Sequence, residues 1–511
     1  MIGPFRYATA GAILLLGVAR PLSGQAGFPV DHPAPTAGAI PAQEYLERRA
    51  ALTDMMAEDG VFIAFGTPTP DPDYLPWSQN ANFRYLTGIT EPDAGLIIEK
   101  KDGQITERLF VQPKNPAREV WDGTRLGVDG AGALTGIPSF SIDEFVPQID
   151  SLVALHTTVY TLAPFLTTRS SSQMLTRDQQ QIKNALDHSR AHLASLAEPL
   201  RRIRARKSPG ELDMIRRAAH ISSLAQVEAI RTAAPGINEF EIQALIEYTF
   251  RRNGGEHPAF SSIVGSGPNS TALHYRNADR FMAEGELLVM DIGTAYRGYA
   301  ADVTRTIPVG STFTPDQREI YSIVLSSQRA AEDAAVTGSS WTDVSAAAAS
   351  VIAEGLTRLG LIDAPGATYI CASARTSNLC PQYELFYMHG VGHGVGLDVH
   401  DTDISSFETF QVGSAFTLEP GIYVRTDALD YLSGTPENEA MVARLRPAVD
   451  RYHDIGVRIE DTYIITDTGL ERLSWAAPRE IHEIEEMRRE PAGQSRRNAD
   501  VINWYRDTEE H

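Results

Sequence analysis

An aspartate stands inside the apolar run Leu287-Leu288-Val289-Met290-Asp291-Ile292-Gly293, and no other feature limits the fold of this chain as strongly. A carboxylate in a buried strand is costly unless something pairs its charge. The chain turns at Tyr296-Arg297-Gly298, and Ala301-Asp302-Val303-Thr304 reads as the returning strand. A turn centred between Tyr296 and Arg297 puts Asp291 and Asp302 opposite each other on one face, with Cβ atoms about 5 Å apart. Two ionised carboxylates at that spacing repel unless one takes a proton or a cation lies between them. The plain alternative is two solvated aspartates on an exposed hairpin.

Further polar residues join this pair. His389, His393 and His400 fall within a glycine-rich stretch of twelve residues, and the glycines let backbone approach a neighbour closely. Phe416-Thr417-Leu418-Glu419-Pro420-Gly421-Ile422-Tyr423 places a third carboxylate in an apolar strand before a Pro-Gly turn. Gly456-Val457-Arg458-Ile459-Glu460-Asp461 does so again, with Arg458 two residues before Glu460 on the same strand face. Asp291, Asp302, Glu419 and Glu460 carry four negative charges, enough for two divalent cations. Hard oxygens with a single imidazole suit manganese, cobalt, iron or zinc. Two such cations about 3.5–4 Å apart lower the pKa of water between them and clamp a tetrahedral intermediate. The chemistry expected is hydrolysis of a peptide or ester, or another acyl-type displacement.

The rest of the chain sets this chemistry in context. At 511 residues it exceeds what one core organises, so two domains are expected. With 42% apolar and 22% charged residues the composition is that of a globular protein. A formal net charge of −21 argues against nucleic-acid binding, which needs basic surface. Residues 1–26 read as an export signal: Arg6, a short apolar run over 7–19, and small residues at Gly24-Gln25-Ala26. The run is too short for a comfortable membrane span of about 20 residues, with an uncleaved anchor as the alternative. A Pro/Ala linker follows over 27–42, then a helix over 44–58 with Tyr45, Leu52, Met55 and Met56 on a partial face.

Val61-Phe62-Ile63-Ala64-Phe65 opens an alternation of short strands and helices that predicts a small α/β domain over 43–175. Consecutive helices are expected from 176 to 252. One of them is capped by Ser208-Pro209-Gly210-Glu211, and another starts at Asn238 or Glu239. The catalytic domain is placed at 176–485 and a charged tail at 486–511, with no internal repeat legible. Cys371 and Cys380 are the two cysteines, a disulfide pair if the chain is exported and two reduced thiols otherwise.

In that order and spacing, Asp291, Asp302, His393, Glu419 and Glu460 resemble the ligand set of the pita-bread metallopeptidases, which include methionine aminopeptidase, prolidase and aminopeptidase P. The resemblance covers residues 43–487. Residues 256–275 look like the family's substrate-site strand and loop, with His274 seventeen positions before Asp291. The extra N-terminal domain sets methionine aminopeptidases aside. Residues 82–91 and 119–125, Arg458, and residues 473–480 are similar to aminopeptidase P, with prolidase the close competitor. A pita-bread module that binds peptides without catalysis is the remote alternative, and such modules have lost ligands that this chain retains.

The resemblance implies an α/β architecture, a pita-bread catalytic domain behind a smaller N-terminal domain, acting on peptides with proline at the second position. It implies that Asp291 chelates one metal, that Asp302 and Glu460 bridge two, and that His393 and Glu419 hold the other, with manganese the expected ion. Glu419 is then the proton shuttle, while His274, His389 and His400 surround the ligands and form the proline-binding wall, with His400 or His274 contacting substrate carbonyls. Arg458 orients ligands. A dimer or tetramer is expected on the same ground. Gly394-Val395 and the long segment 425–452 depart from the family pattern and bear on the pocket beyond the proline site.

Overall fold

Short apolar runs separated by tight turns build the first sheet in this computed structural model, which describes residues 40–71, 76–162, 191–371, 379–402, 409–432 and 434–489. The signal expected at 1–26, most of the linker, the boundary at 175 and the tail from 490 onward lie outside the described residues. Strands β1 (Gly60–Phe65), β2 (Gly95–Lys101), β3 (Gln104–Val111), β4 (Ser139–Ser141), β5 (Thr158–Thr161) and β6 (His192–Ser195) form one mixed sheet in the order β4-β3-β2-β1-β5-β6. Helices α1 (Ala42–Asp54), α2 (Ala81–Thr87), α3 (Pro116–Asp122), α4 (Gly127–Thr135) and α5 (Phe145–Leu155) accompany it. Leu52, Phe62, Leu86, Leu96, Ile98 and Leu109 fill one core of this domain, and Val61, Ile63, Ile97, Phe110 and Phe145 fill another.

Two expectations for this region need correction. The first helix ends at Asp54 rather than 58, so Met56 is buried beyond it and Met55 faces solvent. The stretch expected as consecutive helices contains β6, which pairs in parallel with β5 and so extends the N-terminal sheet past residue 175.

The second half follows one plan twice. Helices α6 (Ala197–Ala205), α7 (Pro209–Thr232) and α8 (Glu239–Arg252) precede the first set of strands. These are β7 (His257–Pro258), β8 (Ile263–Ser266), β9 (Leu287–Ile292), β10 (Thr294–Tyr296), β11 (Tyr299–Ala300) and β12 (Val303–Pro308). Then α9 (Pro315–Ala334) and α10 (Trp341–Leu359) precede β13 (Thr368–Ile370), β14 (Leu379–Pro381), β15 (Ala415–Leu418) and β16 (Gly421–Val424). After α11 (Pro436–Tyr452) come β17 (Ile455–Arg458), β18 (Asp461–Thr466) and β19 (Gly469–Arg472), and α12 (Ile481–Arg489) closes the described chain.

Each half therefore sets antiparallel strands against a helix pair, without sequence repetition. Reciprocal capping boxes start α7 at Ser208/Glu211, as the sequence predicts, and α8 at Asn238/Glu241, where the sequence predicts the start but not the box. Cys371 and Cys380 are joined in a disulfide. No helix among the described residues is long and apolar enough to cross a membrane.

Behind the strands lies a charge pair that the sequence does not announce. Arg305 and Asp461 are both fully buried, 2.6 Å apart. The remaining guanidinium N–H groups of Arg305 donate to the carbonyls of Thr304, Glu460, Ala477 and Pro478 at 2.7–2.9 Å. Ser474 and Gln328 donate to Asp461. Arg305→Met would leave Asp461 buried with weaker cationic partners, so we expect a loss of about 3 kcal/mol or more in a urea unfolding titration.

Candidate metal centre

Carboxylates converge where the strands break. β9 and β12 pair antiparallel with Asp291 opposite Thr304, two residues beyond the partner that the sequence suggested. The cause is the turn: Arg297 and Gly298, both at positive φ, are its two central residues, so Tyr296 faces Tyr299. Asp302 consequently lies in the break between β11 and β12, where its N–H donates to Thr462 Oγ1 at 3.1 Å. Glu419 and Glu460 are likewise not inside strands. Glu419 sits between β15 and β16, its N–H donating to the Val391 carbonyl at 2.7 Å. Glu460 sits between β17 and β18, its N–H donating to the Thr304 carbonyl at 3.1 Å. Of the four, Asp291 alone remains within a strand. At a break the backbone is held by a neighbour while the side chain can point into the gap.

His393 reaches the same gap from the glycine-rich stretch. Its carbonyl accepts from Thr417 N–H at 2.8 Å. This approach needs Gly392, because a Cβ there would lie 2.0 Å from the Thr417 carbonyl oxygen. His393 Nδ1 lies 3.0 Å from the Gly394 carbonyl, which fixes that nitrogen as the donor. Nε2 then carries its lone pair toward Glu419 at 3.5 Å and Asp302 at 3.6 Å. Ligand atoms of Asp302, His393 and Glu460 all fall within 4.8 Å of one another.

The electrostatics fit a cation at this place. Asp291 Oδ1, Asp302 Oδ1 and Glu460 Oε1 are buried without a hydrogen-bond partner. Burial, followed by the neighbouring carboxylates, pushes Asp302 and Glu460 well above the usual carboxylate range. Glu419 is pushed up to about 8 by burial and by Asp291, against the pull of Arg458. Three acids that resist ionisation beside oriented, unsatisfied oxygens are what a multivalent cation would relieve.

Around this gap runs a polar chain. Arg458 Nη2 donates to Asp291 Oδ2 at 2.6 Å and Nη1 to the Tyr423 hydroxyl at 2.9 Å. Tyr423 in turn lies 2.9 Å from His389 Nε2, whose Nδ1 faces the Gly390 carbonyl at 2.8 Å. Burial and the nearby Arg458 charge hold His389 down to about 4, so it is neutral. Thr304 Oγ1 donates to Glu460 Oε2 at 2.7 Å. His400 is exposed with its ring 4.0 Å from that of His393. His274 is also exposed, next to Leu273, whose carbonyl accepts from Arg458. Sequence reasoning missed Tyr423 and Thr304. Tyr423 stands four residues after Glu419, and Thr304 two residues after Asp302, but the strand break at each carboxylate removes the alternation that would have tied the pairs to one face.

Comparison with known proteins agrees with this geometry. Residues 213–467 match the metallopeptidase family M24, and residues 45–160 match the aminopeptidase P N-terminal domain. The chain is 32% identical to a Haemophilus influenzae Xaa-Pro aminopeptidase, covering 88% of this chain and 97% of that one. It superimposes on Escherichia coli aminopeptidase P in its low-pH form with a TM-score of 0.75 at 30% identity, over 89% of this chain and all of that one. A zinc-substituted E. coli aminopeptidase P in complex with product aligns with a TM-score of 0.74 at 30% identity, over 88% and 98% of the two chains. Two domains in the same order, with coverage of nearly the whole relative, leave one assignment: this chain belongs to metallopeptidase family M24, as a member of its aminopeptidase P group.

Proposed function

We propose that this chain is a dinuclear-metal aminopeptidase that hydrolyses the bond between an N-terminal residue and a following proline. The observation that carries the reading is the convergence of Asp302, His393 and Glu460, flanked by Asp291 and Glu419, with three buried carboxylate oxygens lacking any partner. Asp291, Asp302 and Glu460 would hold one divalent cation, and Asp302, Glu460, His393 and Glu419 the other, with manganese the first ion to test. Bound there, such ions supply Lewis acidity and water of lowered pKa.

The chain's own residues do the rest. An Xaa-Pro bond is a tertiary amide, and its departing nitrogen must gain a proton before it leaves. Glu419, whose burial already favours the protonated form, carries a proton from water to that nitrogen. His389 stays neutral and, with Tyr423, fixes the wall beside Glu419. His274 and His400, both exposed, contact substrate at the rim. Arg458 holds Asp291 in place through a charged hydrogen bond. Arg458→Lys keeps the charge but loses the fork that spans Asp291 and Tyr423, so we expect kcat/KM to fall about 10- to 100-fold.

The test is a cleavage assay with manganese-loaded protein on an Xaa-Pro dipeptide and an Xaa-Pro-Yaa-Zaa tetrapeptide. Release of the first residue from the tetrapeptide supports the reading. Cleavage of the dipeptide alone would make the chain a prolidase, and silence on both would sink the reading. We further infer export through residues 1–26 and assembly as a dimer or tetramer. Cell fractionation and light scattering test these, and protein confined to the cytoplasm overturns the first.

A further inference from the structure

We propose that Asp401, gripped between Arg204 and Lys207, is a positioning residue that sets His400 beside His393, and that Asn82 of the N-terminal domain steadies this grip. The inference rests on the reading of His400 as a group that contacts substrate. Among the described residues no side chain hydrogen-bonds the His400 ring, so its place depends on the backbone that carries it.

That backbone is held at both ends. Asp401 N–H donates to the Gly394 carbonyl at 2.9 Å, closing residues 394–401 into a loop and bringing His400 back against His393. Val395 N–H bonds the Ala415 carbonyl at 3.1 Å, and the Gly396 carbonyl accepts from Ala300 at 2.7 Å, so the loop is stitched to strands on both sides. At its far end the Asp401 side chain turns inward. Arg204 Nη2 lies 2.6 Å from Asp401 Oδ1, and Lys207 Nζ 3.4 Å from Oδ2, each oxygen facing its own cation. Gly396 leaves room for this, since a Cβ there would meet Asp401 Oδ2 at 1.8 Å. Arg204 and Lys207 are both 4% exposed, far too buried for casual surface pairing.

The grip continues into the other domain. Arg204 Nη2 also reaches Asp398 at 2.8 Å, and Nη1 donates to Asn82 Oδ1 on α2 at 2.5 Å. Lys207 adds its N–H to the Gly413 carbonyl at 2.9 Å and Nζ to the Thr402 carbonyl at 3.3 Å. A buried ion pair is weak grounds for stability, because desolvation offsets the attraction, and its best-attested use is to select one arrangement over others. Here the arrangement selected is the turn that carries His400. A clamp that merely joined two domains would have no need to close on the residue next to His400.

The experiment is a double-mutant cycle on the manganese-loaded full chain with an Xaa-Pro tetrapeptide. Asp401→Asn alone should lower kcat/KM by roughly 10- to 100-fold, the scale of a displaced catalytic group. The loss should divide between kcat and KM as it does in His400→Ala. In the His400→Ala background the same change should cost about twofold or less, because the group it positions is gone. Asn82→Ala, a milder change, should cost roughly two- to fivefold in the native background and nothing beside His400→Ala. It carries the test should Asp401→Asn fail to fold.

A readout independent of turnover is the imidazole ¹⁵N resonance of His400 in protein loaded with diamagnetic zinc, assigned by its disappearance in His400→Ala. It should move in Asp401→Asn and Asn82→Ala while that of His274 stays. Additive losses with an unmoved His400 resonance would overturn the inference and leave the proposed activity standing. Full activity in His400→Ala would overturn both the inference and the role assigned to His400.

Discussion

Replacing Glu419 by Gln should cut kcat on an Xaa-Pro tetrapeptide by about 10³-fold, the scale expected for loss of a general acid–base group. Gln preserves the shape of the side chain and its acyl oxygen, and the backbone of residue 419 stays bonded to Val391. What it cannot do is carry a proton. The unsubstituted carboxyl is unusually suited to that task, since burial and Asp291 push it up to about 8. The deficit should therefore fall on kcat, with KM changed by about threefold or less, because the loss is specific to the transition state. Metal content measured on the same preparation separates the two roles of Glu419. Retained metal with lost turnover supports proton transfer. Lost metal would show that the carboxylate serves chiefly as a ligand. A variant as fast as the parent would remove Glu419 from the mechanism.

The fold was legible wherever local chemistry decides it. Ser208/Glu211 and Asn238/Glu241 start helices because each pair satisfies N–H groups within four residues, and such signals do not depend on the rest of the chain. The helix over 42–54 is shorter than its sequence predicts because Met55 and Met56 extend the apolar pattern, whereas the chain must already turn before β1. Strand β6 was hidden for a different reason. His192–Ser195 has no apolar run of its own, and it is a strand because the edge of β5 offers it a parallel partner. Tertiary context of that kind overrides propensity and cannot be read locally.

The site shows the same division. Which carboxylates converge was readable, because each of the four interrupts an apolar segment. Their placement was not. A turn drawn one position early misplaced Asp302 by two residues along the ribbon, and the error did little harm because the side-chain period in a strand is also two. Glu419 and Glu460 were expected inside strands and stand at breaks between them, where the ribbons pass from one sheet to another. Partners far apart in sequence left no trace: Arg204 meets Asp401 across 197 residues, and Arg305 meets Asp461 across 156. Tyr423 illustrates the intermediate case. It joins Arg458 to His389 only because β16 pairs with β17, a pairing that no motif in either strand specifies.

Stripped of metal by a chelator, the protein should lose all hydrolytic activity and should melt about 2 °C lower at pH 8 than at pH 6.5. The sign follows from the buried acids. Asp302, Glu419 and Glu460 have folded-state values raised above those of the unfolded chain, so the folded protein binds more protons over the intervening range. Stability then declines as pH rises through that range. His389, held down to about 4, and His220, held down by burial and Arg217, act in the opposite sense, but at pH 6.5 each has at most about 0.4 kcal/mol left to contribute. Carboxylates held below their usual range, among them Asp461 and Asp363, matter only in acid. Between about pH 6.5 and 8 the metal cluster therefore dominates. One proton held across that window is worth at most about 2 kcal/mol, about 2 °C in a chain of this size.

Two controls make the cause specific. Manganese should abolish the decline, because metal competes with protons for the same oxygens and binds more tightly as they leave. Asp302→Asn, neutral at every pH, should raise the melting temperature of the chelated protein at pH 8 while destroying its activity. A substitution that stabilises the metal-free protein and inactivates the loaded one separates a cluster built for cations from one built for stability. A chelated parent whose melting temperature is flat across this window, or a less stable Asp302→Asn, would refute the electrostatic account of the site.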